Sequence, residues 1–477
     1  MAASSDRPLN LHVLGICGTF MGGVAALARE LGHNVEGSDR DIYPPMSTQL
    51  EQLGIRLHQG YAAENLDPAP DLTIVGNALS RGMPAVEALL ERRLAFRSGP
   101  QWLGETVLGQ RRVLAVAGTH GKTTTTSLLA WILDVAGRAP GFLVGGVPEN
   151  FGVSARLGSG VDFVIEADEY DTAFFDKRSK FVHYAPQIAV LNNLEFDHAD
   201  IFDNVAAIQR QFHHLLRIVP GNGYVIVNAE DARLREVLAM GCWSQVVGFA
   251  IDPGVEAEWH ARLDAGDGSR FTVLRHGEPV GEVAWTLLGR HNVMNALAAV
   301  AAAVAAGIEP RDAIGAATTF RAPLRRLQLL AERDDIQVYD DFAHHPTAIA
   351  TTLAALRAHG ARRILVALEP RSASMRLGAH QADLPLALAM ADRVWIARGA
   401  GAEWDTDSLL AALAGRGRVS ADAATLLTEL AAEIREGDVC VFMSNGGFDG
   451  AAQRFARWLV QGRSGQPLPE DHEEPKS

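Results

Sequence analysis

The eight residues Gly118-Thr119-His120-Gly121-Lys122-Thr123-Thr124-Thr125 constrain this chain more than any other stretch. They follow an apolar run, Val113 to Ala117, and precede a helical pattern that continues to about Ala136. A glycine-rich turn between a strand and a helix presents backbone N–H groups and a helix N-terminus to an anion, so it is suited to holding phosphate. Lys122 can reach the terminal phosphates, and the Thr123 hydroxyl can ligate Mg²⁺. The full GxxxxGK[ST] spacing would put a glycine where Val116 stands, so the chain departs from the general pattern at its first glycine only. Such a unit implies a parallel α/β sheet with an ATP site formed by residues 118–124.

The 477 residues allow about three domains at roughly 150 residues each. Leu11 to Leu14 is a short apolar run, followed by Gly15, Gly18, Gly22 and Gly23 and an Ala/Leu-rich helix to Leu31. Runs at Asn34 to Gly37 and Leu72 to Val75, then a helix and strand to about Arg97, complete a Rossmann-like first domain, 1–111. The phosphate-loop unit opens a central α/β domain of P-loop ATPase type, 112–322. Its further strands are expected at Phe163 to Ile165, Ala189 to Leu191 and Tyr224 to Val227. Turn signals between residues 246 and 290 read as hairpins laid on that body, and an Ala-rich helix runs from Asn292 to Ala306. Strand–helix alternation resumes in a C-terminal Rossmann-like domain, 323–462. Strands are expected there at Gln337 to Tyr339, Ile364 to Leu368, Arg393 to Ile396 and Asp438 to Met443. Residues 463–477 mix Gly, Pro and acids and read as a disordered tail.

Charge narrows the partners. Asp and Glu number 57 against 43 Lys and Arg, a net charge of −14, which argues against broad binding to nucleic acid or anionic lipid. No apolar run approaches the roughly 20 residues of a membrane span. The first ten residues lack a signal-peptide layout, and Cys17, Cys242 and Cys440 have no metal or disulfide spacing, so a soluble cytoplasmic protein is expected. Only Lys122, Lys177, Lys180 and Lys476 are lysine. Arginine-rich codon usage would produce this, and it leaves few candidates for any step that needs lysine.

Other motifs carry chemistry of their own. Glu166-Ala167-Asp168-Glu169-Tyr170-Asp171 ends the apolar run Phe163 to Ile165, where carboxylates beside a phosphate loop can hold Mg²⁺. A solvated acidic turn is the rival reading. Glu195, Asp197, His198 and Asp200 follow the next strand and suit a second metal position or a substrate carboxylate. Asn292 and Asn295 can present both amides on one helical face to the edge of adenine, with capping by Asn292 as the alternative. Arg325-Arg326 and Tyr339-Asp340-Asp341-Phe342-Ala343-His344-His345-Pro346 open the third unit. Arg371, and Ser444 with Asn445, stand at the ends of two of its strands, where ligand crevices form. Arg371 can clamp a peptide carboxylate bidentately, or be a solvated arginine. The turn Gly15, Gly18, Gly22, with Asp39 about 20 residues on, suits a dinucleotide or the diphosphate of a UDP-sugar.

Taken in order, Gly118 to Thr124, Glu166 to Glu169, Asp197-His198, His291-Asn292 with Asn295, and Asp341 to Pro346 resemble the Mur ligases over nearly the whole chain. These are ATP-dependent, amide-bond-forming ligases of peptidoglycan synthesis. The opening Gly15 to Gly23 resembles the branch that acts on UDP-N-acetylmuramate, which implies Gly15, Gly18, Met21, Gly22, Ser38 and Asp39 at the UDP substrate. Longer stretches resemble the members of that branch that attach the tripeptide L-alanyl-γ-D-glutamyl-meso-diaminopimelate during cell-wall recycling. They are Gly18 to Gly22, Tyr43 to Thr48, Ser98 to Trp102, Phe174 to Phe181, Asn193 to Phe202 and Met443 to Phe448. Addition of a single L-alanine is the alternative.

The resemblance implies ATP and Mg²⁺ as cofactors, with Lys122, Glu166, His198 and Arg326 as catalytic residues. Thr123 and Glu166 would hold one Mg²⁺ and His198 a second. Arg326 would reach the γ-phosphate across a domain boundary, Asp341 would lie near the ribose, and Asn292 with Asn295 at adenine. His344, Arg371, Ser444 and Asn445 are the candidates on the peptide side. ATP would phosphorylate the lactyl carboxylate, and the peptide amine would attack the acyl phosphate. Some members add a carbamylated lysine, but no lysine lies between Lys180 and Lys476 to supply it after His198. A dehydrogenase reading of Gly15 to Asp39, and a nucleotide switch without ligase chemistry, are the rival classes.

Overall fold

The computed structural model describes residues 7–42, 46–398 and 405–462, so the proposed tail lies outside the described residues. Among the described residues, three large sheets follow one another along the chain, with one two-stranded hairpin besides. The first is all parallel, in the order Arg56–Gln59, Asn34–Asp39, Asn10–Leu14, Leu72–Val75, Phe96–Ser98. Its central strand Asn10–Leu14 is buried from Leu11 onward, as expected where helices cover both faces. The strand Arg56–Gln59 carries no apolar alternation (Arg, Leu, His, Gln), which is why it is silent in the sequence.

The second sheet has ten strands. Its parallel heart sets Arg112–Ala117 between Ile188–Leu191 and Asp162–Ala167. The run Val113 to Ala117 is buried throughout, a near-continuous apolar strand of the kind a doubly covered sheet needs. The hairpins differ from expectation. Gln245–Ala250 is a parallel strand, and Trp259–Leu263, Arg270–Arg275 and Glu278–Ala284 extend the same sheet edgeways instead of lying over it. The reason is backbone pairing: Gln245–Ala250 would otherwise be an open edge, and Trp259–Leu263 satisfies it. The Ala-rich helix Arg290–Ala305 is buried on most sides, packed between this sheet and the helix Lys122–Val135. Small side chains allow that close approach.

The third sheet runs Gln328–Arg333, Ile336–Asp341, Asp438–Met443, Arg363–Leu368, Arg393–Ala397, Gly417–Ser420. All neighbours are parallel except the first pair, an antiparallel hairpin. The first two sheets share a continuous core. Gly23, in the helix Thr19–Glu30, lies so close to the central sheet that a Cβ there would stand 3.2 Å from Leu143.

Candidate active site

The strand Arg112–Ala117 ends at Gly118, and Gly121 sets the N-terminus of the helix Lys122–Val135 with φ of 76°. A Cβ on Gly121 would stand 2.4 Å from Asn295 Oδ1, so glycine is required here by conformation and by space. Asn193 pins the loop: its Oδ1 accepts from the His120 N–H at 2.7 Å, and its carbonyl accepts from the Thr119 N–H at 3.2 Å. Lys122 folds back over the turn. Its Nζ donates to the Gly118 carbonyl at 2.6 Å and to Glu169 Oε2 at 3.1 Å. Burial alone would lower the Lys122 pKa, but Glu169, Asp168 and Glu166 together raise it, so the ammonium stays charged.

The strand Asp162–Ala167 brings its acids beside the loop. Thr123 Oγ1 donates to Glu166 Oε1 at 3.2 Å, and the Gly145 N–H donates to Glu166 Oε2 at 2.7 Å. Glu169 lies between Lys122 and His198, whose Nε2 is 3.3 Å from Glu169 Oε1. The hairpin of Asp171–Ala173 and Asp176–Ser179 turns the chain back so that Lys180 Nζ meets Asp168 Oδ2 at 3.2 Å. Burial would push the Asp168 and Glu169 carboxyls up, yet the neighbouring cations hold both below the usual range. Burial opposes protonation of His198 too, and Glu169, Asp197 and Asp168 overcome it, raising its pKa.

The C-terminal unit reaches into the same place. Arg326 Nη2 donates to Thr123 Oγ1 at 3.0 Å, and the guanidinium lies 4.5 Å from the centre of the Phe342 ring. Asp341 is held by the Leu327 N–H at 3.1 Å and the Thr352 hydroxyl at 2.6 Å, and burial raises its pKa. Gly289 is the N-cap of the helix Arg290–Ala305, so Asn292 lies inside the first turn and does not cap it. Asn292 Nδ2 donates to the Leu288 carbonyl at 2.8 Å and Asn295 Nδ2 to Asn292 Oδ1 at 3.1 Å. Asn295 Oδ1 in turn accepts from Asn192 and Thr125.

One cavity of about 510 Å³ collects most of these groups. Of the residues proposed from sequence, its walls include Thr119 to Thr124, Glu166, His198, Asn292, Asn295, Arg326, Asp341, His344 and Asn445. Gly118, Arg371 and Ser444 are not in its lining. Oxygen donors, carboxylates and the imidazole of His198 beside a phosphate loop suit Mg²⁺ and a nucleoside triphosphate.

Three family models tile the sequence: the Mur ligase family catalytic domain over 10–111, the Mur ligase middle domain over 116–303, and the Mur ligase glutamate ligase domain over 325–446. The chain belongs to the Mur ligase family. It is accordingly an ATP-dependent ligase that forms C–N bonds. It is 53% identical to the UDP-N-acetylmuramate–L-alanyl-γ-D-glutamyl-meso-2,6-diaminoheptandioate ligase of Escherichia coli K12, over 95% of this chain and 99% of that protein. It is 37% identical to the UDP-N-acetylmuramate–L-alanine ligase of Oleidesulfovibrio alaskensis, over 76% of this chain and 78% of that one. The crystal structure of a murein peptide ligase from Psychrobacter arcticus 273-4 superposes with a TM-score of 0.74 at 45% identity, covering 94% of this chain and 98% of that chain.

In this Mur ligase the groups proposed for the UDP substrate lie away from the cavity, at the ends of two strands of the first sheet and in the first turn of the helix Thr19–Glu30. The Gly15 N–H donates to the Ser38 carbonyl at 2.8 Å, and a Cβ on Gly22 would stand 2.4 Å from Met46 Sδ. Gly18 is the N-cap of the helix Thr19–Glu30, and Met21 is buried in its first turn. Asp39 accepts from the Cys17 N–H at 2.8 Å and from the Tyr61 hydroxyl at 3.3 Å. The Ser38 hydroxyl is fully buried and already engaged by His12 and Asn65. Phe20 links this unit to the acidic loop, its ring 5.4 Å from Lys180 Nζ.

On the peptide side, Ser444 is buried and its hydroxyl donates to Glu369 while accepting from the Gly446 N–H at 2.8 Å. Arg371 is exposed and lies flat on Gly446, where a Cβ would stand 2.2 Å from Arg371 Cδ. Sequence reasoning missed Ser374, whose hydroxyl donates to Asp197 Oδ1 at 2.6 Å, and Thr347, which donates to Glu195 at 2.7 Å. These partners are more than 150 residues apart, and no local pattern announces them.

Proposed function

We propose that this Mur ligase joins L-alanyl-γ-D-glutamyl-meso-diaminopimelate to UDP-N-acetylmuramate in the recycling of peptidoglycan. The observation that carries the reading is the meeting at Thr123, where the Glu166 carboxylate and the Arg326 guanidinium of another unit converge on one phosphate-loop hydroxyl. That arrangement suits transfer of a phosphoryl group to an anionic acceptor, in which positioning and charge do most of the work. The tripeptide rather than L-alanine is favoured by the extent of likeness, 95% of the chain against 76%. No helix of the described residues is long and apolar enough to cross a membrane, in keeping with a reaction in the cytoplasm, where ATP and nucleotide-linked sugars are available.

ATP supplies the phosphoryl group that activates the lactyl carboxylate for attack by the peptide amine. In this reading the phosphate-loop amides and Lys122 bind the phosphates, while Arg326 offsets charge that develops on the transferred group. Asn292 and Asn295 orient the adenine, and Asp341 the ribose. Thr123 and Glu166 would hold one Mg²⁺ and His198 a second, and such ions would screen the repulsion between the two anionic reactants. Asp168 and Glu169 stand close enough to His198 to serve beside it as ligands of that second ion. The incoming peptide would enter from the side of His344, Asn445, Ser444 and Arg371, and docking of the C-terminal unit would keep water from the activated carboxyl. Residues 1–111, 112–322 and 323–462 would then serve acceptor, nucleotide and peptide respectively.

Phosphate release tests the reading. Release is expected only when ATP, UDP-N-acetylmuramate and peptide are all present. Turnover of ATP with neither substrate, or NADH oxidation without ATP, would refute it.

A further inference from the structure

His120 of the phosphate loop, Glu195 of the loop after the strand Ile188–Leu191, and His345 at the N-cap of the helix Pro346–Ala358 converge where the central and C-terminal units meet. His120 Nε2 lies 3.4 Å and His345 Nδ1 3.3 Å from the same atom, Glu195 Oε2. The three ligand atoms all fall within 4.8 Å of one another. These separations are long for charge-assisted N–H···O contacts, which close to about 2.7–2.9 Å. They match the edge of a tetrahedron around zinc, because donors about 2.0–2.1 Å from the ion stand about 3.3–3.4 Å apart.

The tautomer of His345 points the same way. Its Nε2 faces the Phe196 carbonyl oxygen at 3.2 Å, and a carbonyl can only accept, so Nε2 carries the proton. Its Nδ1 therefore turns a lone pair toward Glu195, shared at 3.3 Å with the Thr347 N–H. Because Nδ1 accepts from the Thr347 N–H, it carries no proton of its own. Nδ1 and Glu195 Oε2 are thus two acceptors 3.3 Å apart, each also met by a Thr347 donor, and a cation between them would turn their mutual repulsion into attraction. The Phe196 carbonyl on His345 and the Thr347 hydroxyl on Glu195 supply the outer contacts that typically orient metal ligands.

We propose that His120, Glu195 and His345 form a site for a divalent transition-metal ion of the zinc class, with a fourth position open to water or a phosphate oxygen. It is separate from the hydroxyl and carboxylate of Thr123 and Glu166, and from His198. Two imidazoles and one carboxylate select zinc, nickel or cobalt over Mg²⁺, which prefers oxygen donors. Two ligands belong to the central unit and one to the C-terminal unit, so the bound ion clips the units together and slows any turnover that requires them to part.

Titration of the full chain with CoCl₂ in excess Mg²⁺ tests this. The expected result is one equivalent of cobalt with the intense visible bands of a four-coordinate ion, displaced by Zn²⁺. Glu195→Gln and His345→Gln should lose those bands and bind Zn²⁺ at least about tenfold more weakly in competition with a chromophoric chelator. His198→Asn should keep them. Faint six-coordinate bands in the unmodified protein would overturn the site, even if a variant fails to fold. So would bands that survive both cluster variants, or bands that vanish in His198→Asn.

Discussion

Thr123 accepts from Arg326 and donates to Glu166, so one hydroxyl registers the position of two distant parts of the chain. Arg326→Ala is expected to lower kcat by about 10²–10³, the scale for losing one preorganised charge at a developing anion. Lys122→Met should cost at least as much, because it also leaves the buried Glu169 with His198 as its remaining partner. Steady-state kinetics of each variant, with ATP and peptide varied in turn, checks both. Arg371→Ala should raise the KM for peptide and leave that for ATP unchanged, and an unchanged peptide KM would remove Arg371 from the site. Lys122, Thr123 and Glu166 were legible in the sequence because each sits in a short pattern whose chemistry is local. Ser374 was not, because its role is defined by Asp197, 177 residues away. Asn292 could be read as an adenine contact or as a cap, and only the placement of Gly289 at the N-cap removes the second.

The helix Lys122–Val135 depends on how its first turn is made. Gly121→Ala is expected to lose stability by at least about 1–2 kcal/mol, the cost of a left-handed non-glycine residue, with the contact at Asn295 Oδ1 added. The paired observation is weakened ATP binding in the same variant, since the displaced Asn295 faces the cavity; thermal melts with and without ATP would show both. Buried parallel strands such as Arg112–Ala117 and Asp438–Met443 announce themselves as apolar runs. Gly417–Ser420 and Gln328–Arg333 do not, because each lies at a sheet edge and carries mixed side chains. The hairpins between Trp259 and Ala284 were visible as turns, but their continuation of the central sheet was not: edge pairing is a property of the partner strand.

Across the whole molecule, the C-terminal unit is docked on the central one through Ser374 on Asp197, Thr347 on Glu195 and His359 on Asp267. Asp197 is buried, which alone would raise its pKa, but His380, His198, Ser374 and His344 hold it well below the usual carboxylate range. Its contribution to stability is therefore complete above about pH 4 and is lost as pH falls below that value. Asp197→Asn should be less stable than the unmodified protein at pH 7 and should show a flatter acid limb, as read from melting temperature against pH. Activity should survive bicarbonate depletion, because no lysine lies between Lys180 and Lys476 to be carbamylated; loss on depletion with recovery on re-addition would contradict this. The scarcity of lysine thus bears on mechanism as well as codon usage. The most direct test is a competition assay in which UDP-N-acetylmuramate and ATP are offered equal L-alanine and L-alanyl-γ-D-glutamyl-meso-diaminopimelate, with the products weighed by mass spectrometry. The tripeptide adduct should dominate, and a predominance of UDP-N-acetylmuramoyl-L-alanine would contradict the proposed function.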